Sequence, residues 1–210
     1  ESYIFNKQNQ KTELGFPYRS KKPEYSAVNA KPNTKTYNLG GHEDTESKTL
    51  RISTASYGRY YVIEEKKTYD DISKEDPAAK EAIEVLSSKG IIHGKNNGSF
   101  DPDGELKRSE FVCLIVNVLN IIDEDASTDF VDVPLTAWYY NPVAIADTEN
   151  LISGYPGNTF LGNNPINNQE IVKICASALQ TEKGYSFPKD ESNLLIYKDN
   201  KSIQEWARKY

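Results

Sequence analysis

The 210-residue sequence predicts an α+β protein, in which a β-rich N-terminal segment precedes mainly helical repeats. Apolar and polar residues alternate over 49–54, and a second β-rich run follows over 58–63, which is typical of strands. Residues 69–120 and 130–180 are two copies of one pattern, and apolar residues recur at helical spacing within each copy. Because a repeat of about 60 residues cannot bury its apolar face alone, we expect neighbouring copies to complete each other's core.

The N-terminal part differs in character from the repeats. Residues 1–50 are rich in Lys, Asn, Tyr and Thr, and the two β-rich runs over 49–54 and 58–63 are split by a short break at 55–57. This arrangement predicts a β-hairpin. We expect residues 1–66 to be the end of a β-domain that starts before the first residue, with 64–67 as a solvated charged connector. Since the chain has no Met, we expect it to be a processed or excised piece of a longer protein.

The first copy predicts two helices joined by a loop. Asp76 before Pro77 provides a capping side chain followed by proline in the first turn, which indicates a helix start. Gly90 indicates the end of that helix. A loop rich in Gly, Asn and Pro follows over 94–103, and a second helix starts near Arg108. Apolar residues cover nearly all sides of this second helix, which predicts a central position.

The second copy follows the same plan, and a third copy begins after it. Trp138-Tyr139-Tyr140 opens the first helix of copy two, and Asn167 or Asn168 caps its second helix. Tyr197-Lys198-Asp199 starts the third copy, of which the sequence contains only the opening. The step from Gly94 to Glu110 equals the step from Gly154 to Glu170. The predicted repeat limits are 67–122, 128–183 and 195–210.

Composition and charge exclude several functional classes. The net charge of −6 and the pI of about 5.1 argue against a general nucleic-acid binder. No apolar run approaches the roughly 18–20 residues that a membrane span needs. The two cysteines, Cys113 and Cys175, are too few for a disulfide framework and lie in apolar helical stretches, so we expect buried thiols. Nothing in the sequence calls for a cofactor.

The repeated residues carry a resemblance to a known family. The pattern is aromatic-x-Asp, a Gly-Ile-Ile-x-Gly stretch, a Gly-x-Phe step and a basic-Arg-small-Glu stretch, and copy two follows it with several replacements. In copy one it consists of Tyr69-Asp70-Asp71, Gly90-Ile91-Ile92-His93-Gly94, Gly98-Ser99-Phe100 and Lys107-Arg108-Ser109-Glu110. In copy two it includes Phe130-Val131-Asp132, Gly154-Tyr155-Pro156-Gly157-Asn158-Thr159-Phe160 and Asn167-Asn168-Gln169-Glu170. This combination resembles the S-layer homology (SLH) family over residues 69–210.

The resemblance implies a fold and a function. SLH units pack pseudo-symmetrically around a central helix bundle, with polymer grooves between them. The family implies an extracellular, non-catalytic role: non-covalent anchoring of a surface or S-layer protein to a secondary cell wall polysaccharide of Gram-positive-type cells. Such polymers include sugars that carry a pyruvate ketal.

The candidate site follows from this resemblance together with the chemistry of anion recognition. A carboxylate-bearing sugar needs a planar donor, and the fork of Arg108 provides two parallel charge-assisted bonds. The start of the helix adds backbone donors and the positive end of its dipole. The candidate polymer-binding residues are Asp71, Gly94, Gly98, Arg108, Glu110, Asp132, Trp138, Gly154, Tyr155, Glu170, Asp199 and Trp206.

Departures from the family pattern leave structural alternatives open. Asn168 stands at the position of the family arginine in copy two, so at most one well-formed anion groove is expected. Arg108 would alternatively pair with Glu105 on the surface. Asp71 and Asp132 would alternatively cap loops. Trp138 and Trp206 would alternatively be buried in the core of their own unit.

Two other functional classes compete with polymer anchoring. A structural S-layer or fibre subunit would use the repeats as assembly contacts, including self-association through apolar helix faces that an incomplete third copy leaves open. A calcium module would use Asp101, Asp103 and Glu110, which fit an EF-hand loop in outline, although Ser99 replaces its first acid. An enzyme is disfavoured because His42 and His93, the two histidines, lie in different regions and no nucleophile–base group stands out.

Overall fold

A computed structural model describes residues 3–5, 12–17, 25–30, 36–44, 46–54, 58–187 and 191–210. Strands occupy the N-terminal part and helices the remainder. The strands are β1 Tyr3–Phe5, β2 Thr12–Pro17, β3 Tyr25–Ala30, β4 Thr36–Asn38, β5 His42–Asp44, β6 Thr49–Thr54 and β7 Gly58–Glu64. The helices are α1 Pro77–Ser88, α2 Arg108–Leu119, α3 Tyr140–Thr148 and α4 Asn168–Lys183. The predicted mixture of a β-rich segment and a helical region is therefore confirmed.

The strands form two antiparallel sheets, and the predicted hairpin is wrong. One sheet has the order β1-β7-β3-β4 and the other has the order β2-β6-β5. Both predicted runs are strands, but β6 pairs with β2 and β5, whereas β7 pairs with β1 and β3. Alternation identifies a strand with one buried face, but it does not identify the partner strand. Apart from β5, which directly precedes β6, the partners come from distant parts of the chain.

The β-rich segment packs against the C-terminal end of α1. Its buried core comprises Leu39, Leu50, Ile52 and Tyr60. Beside this core, the Lys89 side chain donates a 2.6 Å hydrogen bond to the Gly41 carbonyl. Two amide side chains add further links: Asn38 donates to the Ser88 carbonyl, and Asn120 donates to the Leu39 carbonyl.

The charged connector also contacts α1. The Lys67 amide donates to the Ser88 hydroxyl at 3.0 Å, and Lys66 lies 3.6 Å from the Glu84 carboxylate. Lys66 is exposed, as we expect of a solvated connector. The backbone of the segment is nevertheless bound to α1 through the Lys67 amide.

The predicted helix boundaries are largely confirmed. Asp76 accepts a hydrogen bond from the Ala78 amide, with Pro77 as the first residue of α1. The helix α2 begins at Arg108 as expected. Asn167 caps α4. In copy two the first helix starts at Tyr140, so Trp138 precedes α3 instead of belonging to it.

The described residues divide into two compact units. The first comprises residues up to Gly104 together with Asn120–Ile122, and the second comprises Glu105–Leu119 and Asp123–Tyr210. The division falls inside the first copy, so that α2 packs against α3 and α4 of the second copy. This arrangement explains why α2 is apolar on most sides: Phe111, Val112, Cys113 and Val116 are buried. The segment limits 1–66, 67–122, 128–183 and 195–210 stay a prediction.

The same set of contacts, here called the loop lock, closes the loop in both copies. It consists of an aspartate that accepts hydrogen bonds from two backbone amides and a pair of packed aromatic rings. The Asp71 carboxylate accepts hydrogen bonds from the Phe100 and Asp101 amides, and the Asp132 carboxylate accepts from the Phe160 and Leu161 amides. In copy one the aromatic rings of Tyr69 and Phe100 lie 5.5 Å apart, centroid to centroid. The corresponding distance between Phe130 and Phe160 in copy two is 5.7 Å.

A glycine is required beside each of these aromatic rings. A Cβ atom on Gly94 would lie 2.4 Å from the Tyr69 ring, and one on Gly154 would lie 2.4 Å from the Phe130 ring. Only a residue without a side chain fits at these two positions.

No helix in the described ranges combines the length and the apolar character of a membrane span.

Removal of the Asp132 carboxylate should destabilise the second unit. Asp132→Ala leaves the Phe160 and Leu161 amides without their acceptor. We expect the free energy of unfolding to fall by about 1–3 kcal/mol in urea titrations. Asp129→Ala is the matched control, because Asp129 is exposed, and we expect a change within about 0.5 kcal/mol. Equal losses for the two variants would contradict the lock.

The two thiols should differ in reactivity. Burial, together with the Glu110 carboxylate, raises the pKa of Cys113 to about 12, and burial also raises the pKa of the half-buried Cys175. At pH 8 about one Cys113 in 10⁴ is then a thiolate, the nucleophilic form. With a thiol reagent at pH 8, we expect Cys175 to react slowly and Cys113 not at all until the protein is denatured. Single Cys→Ser variants assign each phase, and fast labelling of Cys113 would contradict the structure.

Candidate functional site

Arg108, the first residue of α2, lies buried among elements of the second copy. Its Nε donates to the Phe160 carbonyl at 3.1 Å, and one Nη donates to the Ser153 carbonyl at 2.9 Å. Its other Nη lies 3.4 Å from the Glu170 carboxylate. The guanidinium carbon is 5.2 Å from the Tyr155 ring centroid and 5.1 Å from that of Phe160. The alternative surface pair with Glu105 is therefore wrong.

Glu170 connects this arginine to the start of α4. Its Oε2 accepts a hydrogen bond from the Asn167 amide, while the Asn167 side chain accepts one from the Glu170 amide, which forms a capping box. The other oxygen of the carboxylate, Oε1, faces Arg108. Burial lowers the pKa of the Arg108 guanidinium, and the negative charge of Glu170 opposes that shift.

The first two backbone amides of α2 donate hydrogen bonds to backbone carbonyls of the second copy. The Arg108 amide donates to the Asn164 carbonyl at 2.9 Å, and the Ser109 amide donates to the Gly162 carbonyl at 3.0 Å. The sequence predicted that amides at this helix start would face a ligand. These two amides instead join α2 to the loop of the next copy, because the main chain at Gly162 comes close enough to accept a hydrogen bond.

A pocket of about 740 Å³ opens beside the Arg108–Glu170 pair. Five of the residues predicted from the sequence line it: Arg108, Gly154, Tyr155, Glu170 and Trp206. Sequence reasoning missed the other lining residues, which are Ser153, Pro156, Asn167, Lys173, Gln204, Glu205, Lys209 and Tyr210. Lys173 follows Glu170 by three residues on α4, so helical spacing would have placed it on the same face.

Two aromatic side chains present surface to this pocket. Trp206 is 41% exposed and Tyr155 is 37% exposed, and Trp138 outside the pocket is 66% exposed. Burial of the two tryptophans in the core is therefore wrong. A chain of hydrogen bonds orients Trp206: its indole nitrogen donates to the Gln204 side chain, and the Gln204 amide donates to the Gln169 side chain.

The remaining candidates lie outside this pocket. Asp71 and Asp132 hold the two loops, as their structural alternative stated, and the amides of Phe100 and Asp101 keep the pKa of Asp71 below its ordinary value. Glu110 accepts a hydrogen bond from the Lys107 amide at the start of α2. The other four candidates are Gly94, Gly98, Trp138 and Asp199. Gly94 packs on Tyr69, Gly98 faces open space, Trp138 contacts Tyr139 edge-on, and Asp199 precedes the 3₁₀ turn Asn200–Ser202.

The residues of the calcium alternative do not form a described metal site. Within the described ranges, no group of three or more His, Cys, Asp or Glu side chains is arranged to hold a metal ion. One Asp101 carboxylate oxygen would lie 2.4 Å from a Cβ atom on Gly104, so this side chain folds back over its own turn. Asp103 is exposed.

Comparison with known proteins identifies the repeats. The model of the S-layer homology domain matches residues 68–112 and 129–170. Amylopullulanase of Thermoanaerobacterium thermosulfurigenes is 32% identical over 170 residues, which is 81% of this chain and 9% of the relative. Exoglucanase XynX of Acetivibrio thermocellus is 31% identical over 70% of this chain and 13% of the relative. The surface-layer 125 kDa protein of Lysinibacillus sphaericus is 28% identical over 67% of this chain and 11% of the relative.

The chain thus spans only a small part of each of these relatives. Some of the relatives are enzymes, but the S-layer homology domain is a non-catalytic module that generally serves cell wall anchoring. The domain and the S-layer relatives indicate a cell-surface or S-layer location, as the sequence predicted. Residues 68–112 and 129–170 are two S-layer homology repeats, and the chain belongs to this family.

Proposed function

We propose that this chain anchors a surface protein by binding an acidic cell wall polysaccharide in the pocket beside Arg108 and Glu170. The observation that carries the proposal is the lining of this pocket, which combines exposed aromatic faces with cationic side chains. Aromatic faces suit the apolar side of a sugar ring, and cations suit its acidic substituent. Pyruvate ketals are one such substituent. The chain as a whole carries a net charge of −6, so this local cationic lining is a departure from its average.

Within this proposal the loop around Tyr155 and the buried arginine have a supporting role. Arg108 holds the carbonyls of Ser153 and Phe160, which lie on either side of Tyr155 in the sequence. Tyr155 then stacks over the guanidinium with its remaining surface turned to the pocket. The arginine therefore shapes the wall of the pocket from behind.

The repeat packing supports a finer architectural proposal. The helices α2 and α4 are each the second helix of a copy, and they contact each other. We propose that they form part of a central helix bundle around which the S-layer homology repeats are arranged.

Assembly into a surface layer is the second candidate function. Exposed apolar side chains within the short segment 131–138 favour it: Val131 is 74% exposed and Leu135 is 79% exposed. Such side chains suit contacts with another protein surface. Variants that change the pocket but not this segment separate the two functions, because only anchoring depends on the pocket.

The anchoring proposal predicts selective sedimentation with cell walls. We expect the chain to sediment with sacculi of S-layer-bearing bacteria that retain their secondary polymer. It should stay in solution with peptidoglycan from which that polymer has been stripped. Equal binding to both preparations would reject the polysaccharide as the ligand.

Substitution of Arg108 and substitution of Asn168, which occupy aligned positions in the two copies, should have different effects. Arg108→Ala leaves the buried Glu170 carboxylate unpaired, so we expect the free energy of unfolding to fall by about 3–5 kcal/mol. Sacculus binding should be lost along with the shape of the pocket. Asn168→Ala is the matched control, because Asn168 aligns with Arg108 and is exposed. We expect a change within about 0.5 kcal/mol and unchanged binding. Urea titration and sedimentation measure both effects, and equal losses would refute the asymmetry.

A further inference from the structure

The arginine of the pocket is buried and paired, so it presents little accessible surface to a ligand. Each of its three guanidinium nitrogens faces a protein oxygen, and the residue as a whole is only 4% exposed. The carboxylate of Glu170 balances its positive charge. A ligand in the pocket therefore meets an arginine that is already paired, and recognition of an acidic group requires another cation.

Two lysines provide that positive charge. Lys173 on α4 and Lys209 near the C-terminus both line the pocket. Among the described residues, neither ammonium group lies within ion-pair distance of a carboxylate. Burial, with the positive charges of Arg108 and Lys209, lowers the pKa of Lys173, and Glu170 only partly opposes this shift. The Lys209 ammonium lies 4.8 Å from the ring centroid of Tyr210, another lining residue.

We propose that Lys173 and Lys209 together bind the acidic group of a cell wall polysaccharide, and that Arg108 does not contact it. This assignment rests on the proposed anchoring function and specifies which side chains carry it. An anion placed between two like charges relieves their repulsion and gains two charge-assisted hydrogen bonds. The exposed face of Trp206, which also lines the pocket, is then available to the sugar ring that carries the anion.

The assignment is particular to the second copy. The residue 60 positions before Lys173 is Cys113, which is buried in the core, so the pattern of copy one provides no equivalent cation. The charges left in the pocket after the Arg108–Glu170 pair are the two lysines and Glu205. These three side chains sum to one positive unit, which suits an acidic substituent, either a carboxylate or a phosphodiester.

The test measures binding of an acidic polysaccharide fraction extracted from cell walls of S-layer-bearing bacteria. Wild type, Lys173→Gln, Lys209→Gln and the double variant are compared by calorimetry. We expect each single substitution to weaken binding about tenfold and the double substitution about 30- to 100-fold. The dependence of affinity on salt should also become shallower, because fewer charges take part. Since Lys209 is exposed and Lys173 meets mainly like charges, we expect both variants to keep the wild-type thermal midpoint.

Lys183→Gln is the matched control. Lys183 lies in the last turn of the same helix, is exposed and does not line the pocket, so the same loss of charge should leave binding unchanged. Two treated fractions identify the acidic group, one with its carboxylates reduced by carbodiimide and borohydride and one with its phosphodiesters cleaved by hydrofluoric acid. Loss of wild-type binding to either treated fraction supports the assignment.

Different binding results would overturn the lysine assignment and the anchoring function. If wild type binds the untreated fraction and the double lysine variant binds it equally well, only the lysine assignment is overturned. Unchanged binding to both treated fractions overturns it as well. If wild type does not bind the untreated fraction, the anchoring function fails, and the lysine assignment fails with it.

Discussion

The second unit depends on one buried ion pair, Arg108 with Glu170. Removing two charges from water is costly, and such a pair is tolerated only where further hydrogen bonds satisfy both groups. Here the arginine reaches two loop carbonyls and lies beside two aromatic rings, while the carboxylate closes the capping box of α4. The pair thereby fixes the start of α2 against the start of α4. Everything that lines the pocket is positioned relative to these two helix starts.

The loop locks differ from this ion pair because each of them lies within a single copy. In each copy an aspartate accepts two backbone amides, an aromatic pair closes over the loop, and a glycine leaves room for the ring. These contacts recur because they lie within one copy. The Arg108 contacts join one copy to the next, so their form depends on what the next copy provides.

This distinction explains how much the sequence predicts. The helix starts at Pro77 and Arg108 and the cap at Asn167 follow from local side-chain chemistry, and they are confirmed. The strands β2, β1 and β3, which pair with β6 and β7, are distant in the sequence, so the local residue patterns that identified the two strands could not pair them. For the site, spacing singled out Arg108 and Glu170 but could not show that they pair with each other. Lys173 has no counterpart in the pattern of copy one, and a repeat-based search therefore passes over it.

The position after the family arginine shows how the two copies diverge. In copy one it is Ser109, which is buried close to Gly162 and donates its backbone amide to the Gly162 carbonyl. In copy two it is Gln169, whose side chain donates to the Ser202 carbonyl and accepts from the Gln204 amide. A small residue permits a direct backbone contact, whereas a long amide spans a wider gap. The replacement of the small residue of the pattern by Gln169 in copy two therefore changes how the next segment is held. It brings Gln204 and, through it, Trp206 to the pocket that the two lysines share.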